Sequence, residues 1–161
     1  MFHESKLNNP STYRANYVSA QDFDAVMRQL GRSPRGRWRV ARRCGCGRPQ
    51  VIQTEPRLDD GTPFPTLWWL TCSKLSSQVG RLESSGWMAE LNRRLQEEPD
   101  LHRALELSTA EYVRRRDELE RLGRPTHPGG GPNKVKCLHA HTAHHLVSGD
   151  NPVGAAALAE L

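Results

Sequence analysis

The chain has 161 residues, 23 of them Lys or Arg against 18 Asp or Glu, a formal net charge of +5 and 36% apolar residues. That length suits one domain with a core of its own, and a mean hydropathy of −0.71 keeps the core small and the surface polar. No stretch has the length of a membrane span, and MFHESKLNNPSTYRANYVSAQ lacks the apolar run of an export signal, so the expectation is a cytoplasmic protein with no membrane partner.

Residues 1–18 are polar and unpatterned and read as a flexible N-terminal arm, with one domain over 19–161. Ser19-Ala-Gln-Asp22 resembles a capping box with aspartate in the glutamate position. Phe23, Val26, Met27 and Leu30 then recur at helical spacing up to Gly31. After SPRG the segments RWRVARR, QVIQTEP and TLWWLT are rich in Val, Ile, Thr and Trp, and turn-forming CGCGRP and RLDDGTPFP separate them. They read as three strands of an antiparallel meander. Alternation in the third puts Trp68, Leu70 and Cys72 on one face and Leu67, Trp69 and Thr71 on the other.

The pattern then turns helical. Leu75, Val79 and Leu82 lead to Gly86, Met88, Leu91 and Leu95 lead to Pro99, and a longer amphipathic stretch carries Leu101, Leu105, Tyr112 and Leu119. A Gly/Pro-rich loop follows over 123–133; its three glycines lack the strand, lysine and hydroxyl of a phosphate-binding loop. KCLHAHTAHHLVSG reads as a final helix stopped by Gly149, which would set Cys137, His141 and His144 in one stripe with His139 on the other side. If the segment begins extended instead, Cys137, His139 and His141 face together. The fold class expected is α+β, a small three-stranded antiparallel sheet packed with several helices.

Chemistry-bearing residues gather in two places. Without an export signal, cysteines and histidines in groups more often hold a metal or do redox chemistry than form disulfides. Cys44, Cys46, Cys72 and Cys137 with His139, His141 and His144 therefore form a candidate site for zinc or an iron–sulfur cluster, joining sheet and C-terminal helix. The spacing is not that of paired C-x-x-C knuckles, so any shared site must be assembled by the fold. Between Asp24 and Glu55 no acidic residue interrupts eight arginines, of which Arg35, Arg37, Arg42, Arg43 and Arg48 surround the first cysteines. Guanidinium forks suit oxyanions, so the face is a candidate for nucleic acid, a phosphorylated ligand or an acidic protein. A solvated basic face is the alternative. Asp59 and Asp60 are either bases or the turn chemistry of DDG.

Three function classes remain open: a metal-binding interaction or regulatory module, a metal- or thiol-dependent enzyme acting on a phosphorylated or carboxylated substrate, and a redox or cluster protein. In the enzyme class Cys137 would be a nucleophile assisted by His141, or a histidine would border an open metal position. GRSPRGRWRVARRCGCGRPQVIQTEPRLDDGTPFPTLWWLTCSKL, RLESSGWM and KCLHAHTAHHLVSGDNPVG, in this order, resemble the bacterial domain-of-unknown-function family 501 over about residues 20–154. That family commonly has proline between the first two cysteines and after the third, where this chain has Gly45 and Ser73. The resemblance implies a cytosolic bacterial protein and supplies no activity.

Overall fold

The computed structural model describes residues 18–161, so the expected arm lies outside the described residues except for Val18, which is buried. Helix α1 (Ala20–Leu30) starts as the sequence suggests: Ser19 Oγ accepts from the Asp22 N–H at 3.1 Å. Asp22 does not complete a capping box. Its carboxylate instead receives a two-pronged bond from Arg43, both arms 2.8 Å, which ties α1 to the sheet. Gly31 closes the helix at φ 69°, a left-handed conformation that glycine adopts without strain.

The meander forms as expected, with strands β1 (Trp38–Arg43), β2 (Pro49–Thr54) and β3 (Trp68–Leu70) in the order β1-β2-β3, all antiparallel. Register runs Val40↔Ile52 and Ile52↔Trp69, with irregularities in β1 on either side of Arg42. Because side chains alternate along a strand, β2 feeds two cores. Ile52 joins Trp38, Phe23 and Val26 under α1, while Val51 joins Trp68 and Leu70 on the other face.

That second face is covered by the rest of the chain: α2 (Ser73–Ser84), α3 (Trp87–Glu97), α4 (Pro99–Leu119), α5 (Leu138–Ser148) and α6 (Pro152–Ala159). Val79, Leu91, Leu95, Leu105 and Tyr112 supply the buried stripes that their spacing announced. Leu119, expected on the α4 stripe, is 49% exposed because the helix there has run past the core. The strand pattern also stops earlier than expected. β3 ends at Leu70, and Cys72 is the N-cap residue of α2 rather than a strand residue. Helix α6 was not anticipated, although Asn151 caps it by accepting from the Gly154 N–H at 2.8 Å and Pro152 sits in its first turn. The protein is thus a single α+β domain of six helices and a three-stranded sheet among the described residues. No helix there is long and apolar enough to cross a membrane.

Two polar contacts lock the layers. Tyr112, fully enclosed, accepts the Leu67 N–H at 2.6 Å, so α4 holds the chain entering β3. Tyr112→Phe leaves that buried N–H unpaired and is expected to cost about 2 kcal/mol, read as a lower denaturant midpoint at unchanged slope. Arg116, also fully buried, gathers the carbonyls of Pro65, Arg124 and Thr126 and so pulls the segment after α4 back over the core.

Candidate metal centre

The 123–133 loop is the mould in which the site is cast. Asn92 of α3 pairs with both backbone groups of Val135, accepting its N–H at 2.8 Å and donating to its carbonyl at 3.1 Å. The Gly129 carbonyl accepts from the N–H of Lys136 at 2.7 Å and of Cys137 at 3.1 Å. Gly129 itself presses on α5: a Cβ there would fall 2.8 Å from the Cys137 carbonyl and from His141 Cδ2. These bonds set Cys137 in extended backbone, φ −148°, as the N-cap residue of α5.

That placement overturns the expected stripe. Cys137 precedes the helix, so its side chain does not follow the i, i+4, i+7 row, and it lies with His139 while His141 and His144 turn into the core. Pairing of Cys137 with His141 as nucleophile and base is therefore not what the fold assembles. The partner added by tertiary structure is Glu83, near the end of α2. One donor atom from each of Glu83, Cys137 and His139 lies within 4.8 Å of the others, and all three are partly exposed. They could hold a metal ion.

His139 Nε2 is 3.0 Å from the Ser76 carbonyl and Nδ1 is 3.2 Å from Glu83 Oε1. The same Glu83 oxygen accepts the Leu138 N–H at 2.6 Å, placing a carboxylate on the positive end of α5. The Cys137 side chain first, and Glu83 second, raise the His139 pKa to about 9 against the penalty of burial. A cleft of about 400 Å³ opens beside the group.

The remaining residues expected to ligate lie elsewhere. Cys44 and Cys46 are joined in a disulfide in the β1–β2 turn, and Cys72 and Cys137 are free thiols. His141 and His144 belong to a buried polar cluster that also contains His127 and Asn151, neither of which the sequence singled out. His127 Nδ1 accepts the Gly129 N–H at 2.9 Å, so its proton sits on Nε2, 3.3 Å from His144 Nδ1. The Asn151 amide donates to His141 Nδ1 at 3.0 Å and to His144 Nδ1 at 2.9 Å. His141 Nε2 in turn donates to the Gly130 carbonyl at 3.0 Å. His144 Nε2 faces Asp150 Oδ1 at 3.1 Å without the alignment of a full hydrogen bond. His127 stacks on His141 with ring centres 4.2 Å apart and contacts Tyr112 at 4.4 Å. Burial, helped by neighbouring histidines, pushes the His127 pKa well down, and burial takes those of His141 and His144 to about 4. The cluster is a neutral core bonded at every ring nitrogen except His144 Nε2, with every tautomer assigned by its partners.

On the basic face, three of the five candidate arginines are engaged within the chain. Arg43 holds Asp22, Arg37 approaches Glu55 and Asp59 at 3.3 and 3.4 Å, and Arg42 donates to the Leu146 carbonyl at 2.9 Å. Arg35 and Arg48 are exposed. Asp60 accepts the Thr62 N–H at 2.9 Å, the turn role that DDG suggested.

The family model described as "Protein of unknown function (DUF501)" matches residues 40–159, which takes in most of β1, all of β2 and β3, the glycine loop and every residue of the candidate centre. The chain belongs to the DUF501 family. No curated protein and no solved structure is matched by it. Membership thus agrees with the resemblance carried by the cysteine, RLE and KCLHAH segments, and the reading of what this DUF501 protein does rests on the geometry above.

Proposed function

We propose that this DUF501 protein binds one divalent metal ion of the zinc class through Glu83, Cys137 and His139, with a further coordination position turned toward the adjoining cleft. The observation that carries the reading is the convergence of a thiol, an imidazole nitrogen and a carboxylate oxygen within 4.8 Å of one another beside the cleft. A carbonyl only accepts, so the contact with Ser76 keeps a proton on Nε2, while the raised pKa gives Nδ1 a second proton toward Glu83 in the metal-free chain; a metal ion would displace that proton and take the Nδ1 lone pair. A ligating histidine whose other nitrogen donates to a backbone carbonyl is also the usual outer-sphere arrangement at metal centres. One sulfur, one imidazole and one carboxylate suit zinc, whereas a cluster takes several thiolates.

Three protein ligands with one position left describe a reactive or ligand-binding centre rather than a closed structural knot. The enzyme alternative is therefore favoured over a purely structural module, with the metal polarising whatever occupies its open position. An anion taken up by the basic face would meet Arg35 and Arg48 first, or compete with Asp22, Glu55 and Asp59 for the rest.

Cobalt(II) tests the reading, since thiolate ligation produces a near-ultraviolet charge-transfer band alongside visible d–d bands. The expected result is one equivalent of cobalt with both signatures, displaced by zinc. Cys137→Ser removes the charge-transfer band. Cys137→Ser, His139→Gln and Glu83→Gln each weaken binding by at least the roughly 100-fold that loss of an outer partner can cost. Cys44→Ser leaves the spectrum as it is. Binding unaffected by Cys137→Ser and His139→Gln, with Cys44→Ser abolishing it, would sink this centre and restore a site at the hairpin.

A further inference from the structure

The cleft beside the centre has a composition that selects its occupant. Its walls are Leu30, Trp68, Trp69, Leu70, Pro128 and Ala140, with the hydroxyl residues Thr66 and Ser76 also present. The ionisable residues lining it, among those described, are Cys137 and His139, both of them ligands in the proposed centre. About 400 Å³ lies at the small-molecule end of the range for ligand sites and is too little for a docked helix.

Charge balance narrows the choice. A thiolate and a carboxylate together neutralise a divalent ion, and a neutral imidazole adds nothing. An anion in the open position would leave a net negative charge against an apolar wall with no cation lining the cleft to meet it, at a desolvation cost that nothing offsets. An uncharged donor incurs no such cost. We infer, resting on the metal reading above, that the open position takes an uncharged small organic molecule through one alcohol or carbonyl oxygen, with its apolar body lying in the cleft between Trp69 and Ala140. The class of ligand is thus an aldehyde, ketone or alcohol on an aromatic or branched aliphatic body, rather than the phosphorylated or carboxylated substrate expected from the arginines.

The test uses the full chain loaded with cobalt(II) and 4-(dimethylamino)cinnamaldehyde, whose visible band moves to the red when a metal draws on its carbonyl oxygen. The expected result is a saturable red shift at one aldehyde per metal. 4-(Dimethylamino)cinnamate, the same body carrying a carboxylate, should compete at least about tenfold more weakly. Ala140→Leu, which narrows the cleft, should keep the cobalt spectrum and weaken the aldehyde by a similar factor. An intact cobalt spectrum with no aldehyde shift, or with cinnamate binding as tightly, overturns this inference and leaves the metal reading standing. An equal red shift in metal-free protein assigns the signal to a protonated imine formed with a lysine, with loss of water, and overturns it too. Absence of the cobalt spectrum removes both.

Discussion

Replacing Gly154 by alanine is expected to destabilise the fold by about 3 kcal/mol or more, the upper end of ordinary overpacking, because the atom that would be struck is backbone. A Cβ at this position would fall 2.2 Å from the His141 carbonyl oxygen and 2.6 Å from His145 Cβ. No side-chain rotation relieves that, so α6 must move off α5. Asn151, which caps α6 through the Gly154 N–H, would be carried along and would release both His141 and His144. At 161 residues a loss of this size corresponds to a fall of roughly 10 °C in Tm. Gly45→Ala is the control, since a Cβ there meets nothing within 4 Å. Calorimetry showing equal melting of the two variants would mean that the α5–α6 contact is looser than described.

The second large effect is acid sensitivity well above the carboxylate range. His141 and His144 have their pKa values taken down to about 4, and that of His127 is also well below the ordinary value, all chiefly by burial. Between that value and the unfolded histidine pKa of about 6.5 the unfolded chain binds more protons than the folded one. Stability therefore falls as pH falls through this window, by about 3 kcal/mol for each of the two histidines near 4. One such loss is already a large share of the roughly 5–15 kcal/mol that holds a typical domain together.

The groups facing the cluster do not reverse the sign. Asp150 favours a charged His144, but Arg115 opposes it, Arg116 opposes a charged His127, and the histidines oppose one another. Asp22, held low by Arg43, acts in a lower window, where carboxylates protonate. His139 has the opposite sign: its contribution in the metal-free chain is complete below about 6.5 and is lost as pH rises through about 9. Urea titrations should show the midpoint falling as pH drops from about 6.5 to 4.5, and a flat profile over that range would contradict the neutral buried cluster.

The helices and strands were legible because their signals are local. Alternating Val, Ile and Trp residues, apolar spacing at 3.6 residues, Ser19 and Gly149 as end markers and Pro99 at a helix start each act within a few residues of themselves. Even the unanticipated α6 carries such signals in Asn151 and Pro152.

The centre was legible only by half. Cys137 and His139 lie two apart in a conspicuous motif, but Glu83 is one carboxylate among several on polar helix faces, and nothing local distinguishes it. Its role exists because α2 and the start of α5 meet 55 residues apart in sequence, at the Leu138 N–H. The same holds for His127, which looked like a loop residue until Arg116 and Gly129 drew it inside. The sequence by itself determined the element types, the meander and the residues able to ligate. Which of those residues share a space was decided by tertiary structure, because an extended N-cap at Cys137 and a glycine loop packed on α5 turn neighbours in the chain to opposite sides: Cys137 and His139 toward the cleft, His141 and His144 into the core.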